Sequence, residues 1–161
     1  MKRVCSLLLA LSLAPAAATA QALDIGLTLS GGMLTVIFGQ DCGPVTCTPL
    51  FGGNVGRGQA RSVMHYSAPA TLYAIAIGIP APCLAIPGID NVLLLGTPVI
   101  FDWGITSAPP FVPTACQQGV AGASFTIPLT APVGVQFRLQ SFGQSNGGAW
   151  ALGPAIECTI V

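Results

Sequence analysis

The sequence predicts an all-β fold, an antiparallel β-sandwich of Ig-like or jelly-roll-like kind. Three observations predict it. Apolar residues recur with a period of two in several stretches, the pattern of strands with one buried face. Turn residues cut these stretches at short intervals, drawn from a pool of 20 glycines and 14 prolines. Beyond the first twenty or so residues, no stretch keeps a 3.6-residue period free of Gly and Pro. With 52% hydrophobic and 6% charged residues, the chain lies far from the charged, apolar-poor compositions that stay disordered.

The first element is a leader. Met1-Lys2-Arg3 is followed by an apolar run over residues 4–13 and then Ala18-Thr19-Ala20. A basic start, a short apolar centre and a small-x-small exit are the parts of a secretory signal peptide. Cleavage after Ala20 gives residues 1–20 as signal and residues 21–161 as a single β-sandwich domain; cleavage after Ala22 is the second choice. The apolar stretch falls short of the about 20 residues that a membrane-spanning helix needs. No transmembrane helix is expected after signal removal, and the expected location is secreted: periplasmic, cell-surface or extracellular.

The domain opens with a hairpin. Leu23, Ile25, Leu27 and Leu29 alternate with small or polar residues, and Gly31-Gly32 suits a two-residue turn. That turn would set Leu29 against Leu34, Leu27 against Val36 and Ile25 against Phe38. Strands are then expected over residues 57–66, 71–79, 91–95, 99–103 and 124–130. The stretch 71–79 is apolar on both faces and reads as central. Prolines such as Pro80, Pro82 and Pro98 are expected in connections or at strand edges, and residues 106–121 form the longest loop. A closing hairpin turns at Asn146-Gly147, with Ser141 against Leu152 and Gly143 against Trp150. The last strand presents Ile156, Cys158 and Ile160 on one face.

Five cysteines remain after Cys5 leaves with the leader, and an odd number cannot all pair within one chain. Export makes Cys42, Cys47, Cys83 and Cys116 disulfide candidates. The spacing suggests a clasp of Cys42 with Cys47 around Gly43-Pro44, and a long loop closed by Cys83 and Cys116. Cys158 is the unpaired candidate, its alternation with isoleucines reading as a buried thiol; pairing of Cys116 with Cys158 stays open.

After leader removal, three arginines (Arg57, Arg61, Arg138) face five acids (Asp24, Asp41, Asp90, Asp102, Glu157), and three minus five is −2. Nucleic-acid binding needs clustered cations to displace condensed counterions, so no nucleic-acid partner is expected. A polybasic membrane-surface segment is missing for the same reason.

No catalytic, cofactor-binding or metal-binding set emerges, and no cofactor is expected. Gly143-Gln144-Ser145-Asn146-Gly147 matches the G-x-S-x-G pattern of hydrolases, whose serine sits on a strand-to-helix elbow. Here strand, turn and strand are expected instead. The single histidine, His65, has no orienting carboxylate beside it in sequence. Cys42 and Cys47 have zinc-compatible spacing but lack a second ligand pair. The glycine-rich stretch 52–58 lacks the Lys-Ser/Thr ending of a phosphate loop. Trp103, Trp150, Tyr66 and Tyr73 are the aromatic residues available for a sugar-stacking face, although such residues usually enter the core.

Gly122, Ser124, Phe125, Ile127 and Pro128, then Gly134, Phe137, Leu139 and Gln140, then Leu152 and Ala155 to Ile160 carry a resemblance. Over the last 90 residues or so, the chain resembles a loose class of bacterial exported β-sandwich domains. The resemblance implies a sandwich and secretion, and brings no catalytic residues with it. The expected function is a secreted, non-enzymatic structural or binding module of a cell-surface or extracellular assembly. Its partners would be protein or glycan, and its nearly uncharged surface also suits self-association. A small outer-membrane β-barrel and a secreted hydrolase using His65 are the alternatives.

Overall fold

A computed structural model describes residues 22–31, 37–109, 116 and 118–161. The leader and its cleavage site lie outside the described residues, as does the turn-proximal part of the first hairpin, residues 32–36.

Nine strands are described: β1 (Gly26–Ser30), β2 (Ile37–Gln40), β3 (Leu50–Val55), β4 (Ala60–Ser67), β5 (Leu72–Ala85), β6 (Val92–Ile105), β7 (Gly119–Thr126), β8 (Gln136–Gln144) and β9 (Trp150–Ile160). They form a four-stranded sheet in the order β2-β1-β4-β7 and a five-stranded sheet in the order β3-β9-β8-β5-β6. The protein is thus all-β, two sheets packed on a shared core. Neither sheet closes on itself, so the described strands do not make a barrel. One feature corrects the antiparallel expectation: β3 pairs with β9 in parallel, Leu50 opposite Ile156 and Val55 opposite Ile160.

Alternation decides the core. Leu27 and Leu29 of β1 and Val63 of β4 meet Ile75, Leu139, Ile156 and Cys158 from the opposite sheet. All are essentially inaccessible to water, and each large aliphatic side chain so buried contributes roughly 1.5–3 kcal/mol. Phe101, Phe125 and Phe137 bridge the sheets edge to face, with centroids 5.8 and 6.2 Å apart.

Both terminal hairpins form, each in a different register from the one expected. Leu29 pairs with Phe38 and Ser30 with Ile37, four residues from the expected partners. A shift of four keeps every side chain on its own face, so the periodicity is equally satisfied. At the other end, Gly143 pairs with Ala151 and Gln144 with Trp150, one residue off. The turn is longer than Asn146-Gly147 alone: Gly148 N–H donates to Ser145 O, Ser145 N–H donates to Ala149 O, and Gly148 takes the left-handed φ of 87°. This is the three-residue loop with a glycine bulge. A second irregularity, opposite Ser141, places Pro154 where no ladder bond is required.

The larger surprise is the hairpin of β5 and β6. The two strands expected over 91–95 and 99–103 are one strand bent at Thr97-Pro98, where Thr97 takes φ 44°, an uncommon conformation for a β-branched residue. β5 likewise runs on through Pro80 and Pro82. It pairs with β8 only over Ala74–Gly78. Beyond Gly78 one side of β5 carries no ladder bonds, and a missing proline N–H costs nothing there. Gly78 sits at the bend because a side chain there would meet Gly96 O at 2.7 Å and Leu95 Cβ at 3.2 Å. The hairpin tip is a Pro87-Gly88 turn, with Ile89 N–H donating to Ile86 O and Gly88 at φ 80°, a type II geometry.

Two disulfides replace the expected local clasp. Cys42 bonds to Cys116, and Cys47 to Cys83. The first ties the segment after β2 to the one before β7. The second fixes the distal part of β5 to the segment before β3. Sequence spacing favoured the short clasp, but the bent hairpin carries Cys83 to Cys47. Cys158 has a free, buried thiol. The bridges are nested and close loops of 74 and 36 residues. The loop-entropy model gives each about 4 kcal/mol. Non-reducing peptide mapping will therefore recover Cys42 with Cys116 and Cys47 with Cys83. The double variant Cys47→Ser/Cys83→Ser will lose about 3–4 kcal/mol in denaturant unfolding.

Candidate functional site

The bent hairpin folds back across the outer face of its own sheet, and side chains from β8 clamp it there. The Gln140 amide Nε2 donates to Val92 O at 2.7 Å and Gly153 O at 3.0 Å, while its Oε1 accepts from Leu94 N–H at 2.9 Å. Arg138 donates to Ala81 O at 2.8 Å and Leu94 O at 3.0 Å, and its Nε meets Glu157 Oε2 at 2.8 Å. The Asn91 amide donates to Leu152 O and Ala22 O. Its own backbone is left-handed, at φ 66°, a conformation that Asn tolerates well. Asp90 N–H donates to Trp150 O, and Leu152 N–H to Asp90 O.

Between the folded-back arm and the sheet lies a groove of about 270 Å³. Ala74, Ala76, Phe142 and Leu152 form its floor. Ile86, Ile89, Leu93 and Leu95 form the arm's wall, and Pro98 and Ile100 stand at the bend. The space exists because the two central floor residues are alanines. Of the two polar residues in the described lining, Gln140 has its amide engaged by the clamp, and Ser141 lies opposite the core residue Ile75, its side chain on the inner face.

The same face continues into an exposed apolar platform. Ala74 pairs with Trp103 on one side and with Phe142 on the other, so all three point outward together. Trp103 is 74% exposed, and Ile100, Ile105 and Leu72 are also exposed on this face. Phe142 stacks on Trp150 with centroids 5.1 Å apart and planes 6° apart. Of the four aromatic residues noted from sequence, Trp103 and Trp150 therefore share one solvent-facing surface. Tyr66 is buried, and Tyr73 is half-buried, its OH donating to Asp102 Oδ2 at 2.8 Å. Burial and the Asp102 carboxylate push the Tyr73 phenol up to about 12.

Among the described residues, His65, Asp102 and Ser145 have separate packing roles. His65 lies between the sheets with no exposed surface, and neither ring nitrogen has a well-formed hydrogen bond. It stacks on Tyr73 at 5.5 Å and presses against Gly143, where any Cβ would lie 2.7 Å from Nε2. Asp102 reaches Tyr73 rather than the imidazole. Burial lowers the His65 pKa to about 4, with the Gly26 backbone opposing. Ser145 is buried in the hairpin turn, where its Oγ accepts from Ala149 N–H at 3.2 Å. Burial pushes the Cys158 thiol up to about 12, against the opposing charge of Arg61, which makes it a poor nucleophile. Among the described residues, no three His, Cys, Asp or Glu side chains gather as metal ligands, and no helix is long and apolar enough to cross a membrane.

The chain matches no family model and no curated protein. Among solved structures, a chitin binding domain from Burkholderia pseudomallei aligns with a TM-score of 0.39 at 14% identity, covering 68% of this chain and 56% of that one. The chain thus spans a little over half the length of that domain.

Two outcomes follow from this geometry. Gln140→Ala leaves buried backbone groups of Val92, Leu94 and Gly153 without partners, each worth about 1–3 kcal/mol. It is expected to destabilise the protein by about 3 kcal/mol, with hydrogen exchange rising first at the amide of Leu94. For His65, the folded pKa of about 4 lies below the unfolded value of 6.5. The imidazole is neutral in both states above pH 6.5. As pH falls from 6.5 to 4 only the unfolded chain takes the proton, so stability declines, by up to about 3 kcal/mol, and then levels off. Denaturant midpoints at pH 7.5 and 4.5 will show this loss, and His65→Leu will remove that share of it.

Proposed function

We propose that the exported chain, residues 21–161, is a single sandwich domain serving as a non-enzymatic binding module of a cell-surface or extracellular assembly. Its binding face is the outer surface of the five-stranded sheet. One observation carries this reading: Leu72, Ile100, Trp103 and Ile105 stand exposed together on that face, continuous with the Phe142–Trp150 stack and the groove. Contiguous exposed apolar surface of this kind marks interaction sites on soluble proteins, and tryptophan is prominent among residues that dominate binding energy.

Two further observations support it. The disulfides are of a kind that persists in oxidising compartments, which agrees with the leader read from residues 1–20. His65 is fully buried between the sheets, which favours the binding reading over a hydrolase that uses it.

Retention of the purified mature chain on isolated cell-surface material, read by co-sedimentation, tests the proposal. Trp103→Ala is expected to cut retention at least tenfold. The thermal midpoint should barely move, because substitutions at exposed positions usually change stability by less than about 0.5 kcal/mol. A wild-type protein that sediments as a strict monomer and is retained by no surface fraction would overturn the reading.

A further inference from the structure

We propose that the groove under the folded-back arm binds one unbranched hydrocarbon chain of a single-chain amphiphile, with its polar head left in water. This rests on the binding-module reading and names the ligand class for part of that face.

The argument starts from polar matching. The floor is Ala74, Ala76 and Phe142, and the arm contributes Ile86, Ile89 and Leu93. Gln140 and Ser141 are the polar residues in the lining, and Ser141, opposite the core residue Ile75, turns its side chain to the inner face of the sheet. The Gln140 amide oxygen and both donor directions are spent on Leu94, Val92 and Gly153. Arg138 lies outside the lining, its Nε on Glu157 and its Nη1 on two carbonyls. A sugar entering this space would leave hydroxyls unmatched in an apolar setting, a penalty paid for every such group. A hydrocarbon brings no such group and removes the apolar walls from water.

Size narrows the class. A volume of about 270 Å³ sits just below the usual range for whole drug-sized ligands. At ~30 Å³ for a water-sized group, it holds on the order of eight to ten carbon atoms. The groove is also open at one side, where Ile100 stands 60% exposed, so a head group stays solvated. The walls are held by the clamp and by the Cys47–Cys83 bond. The groove is therefore formed before ligand arrives, which lowers the ordering cost of binding.

The test is calorimetric titration of the disulfide-bonded mature chain with sodium hexanoate, octanoate, decanoate and dodecanoate, each below its micelle concentration. Affinity is expected to rise about tenfold per added pair of carbons and to level off between decanoate and dodecanoate, with a negative heat-capacity change. Ala76→Phe fills the floor and is expected to weaken decanoate at least tenfold. Ala74→Leu serves the same purpose should the first variant fail to fold. Leu129→Gln, at an exposed residue outside the lining, is expected to leave binding unchanged. Absence of decanoate binding, affinity independent of chain length, or equal binding by the filled variants would each overturn the proposal. So would cellohexaose binding that the filled variants abolish. Surface retention that persists while decanoate fails refutes the hydrocarbon alone. Decanoate binding without surface retention refutes the module reading instead.

Discussion

One buried carboxamide holds the outer half of this structure in place. Gln140 is 2% exposed and satisfies backbone groups from both arms of the site: Val92 and Leu94 on the bent hairpin, Gly153 on β9. A strand folded back over a sheet has backbone polar groups facing an apolar surface, and each must find a partner or cost free energy. An amide can both donate and accept, so a single side chain closes three such accounts. Arg138 does the same for two carbonyls while Glu157 balances its charge. These two residues add to the Asn91 and Asp90 hydrogen bonds and the Cys47–Cys83 bond in holding the arm on the sheet.

The near-absence of charge makes this arrangement more important. With so few ionisable groups in the folded domain, ion pairing contributes one described salt bridge, Arg138 to Glu157. Stability rests instead on interleaved aliphatic and aromatic side chains between the sheets and on two nested disulfides. Among the buried polar residues, His65 is the one ionisable group. It is tolerated because burial holds it neutral near pH 7 and its ring stacks against Tyr73, planes 22° apart. Gly143 gives it space: the backbone there approaches so closely that any larger residue would displace the imidazole. The serine-like motif around residues 143–147 thus has a structural explanation. Its first glycine accommodates a core histidine and its later residues turn a hairpin.

The proposed binding face has the same origin. β5 and β6 are apolar on both sides. On the inner side Ile75 enters the core and Phe101 packs against it. On the outer side, among the described residues, only the arm itself covers the sheet, and it reaches part of the way. What lies under the arm becomes a groove, and what lies beyond it, around Trp103, becomes the exposed platform. The same doubled hydrophobicity that reads as a central strand in the sequence therefore produces a surface fit to meet a partner.

Much of the architecture was legible from the chain alone. Period-two alternation placed Leu27, Leu29, Leu139, Ile156 and Cys158 inside, and both terminal hairpins were visible from their glycines. Local rules of this kind depend on neighbours in sequence, and so they survive translation into three dimensions. The registers did not, because shifts of even length preserve the alternation and a one-residue change can be absorbed at a bulge. Nor did the cysteine pairing, the parallel β3–β9 contact, or the groove. Each depends on where the bent hairpin goes, and that is decided by Gln140, Arg138 and Gly78 meeting residues far from them in sequence. The alternating pattern by itself determined that two faces would be buried against each other. Only long-range hydrogen bonding decided which remaining apolar face was left open to solvent, since a backbone group's partner is chosen by proximity in space and leaves no periodic trace in the chain.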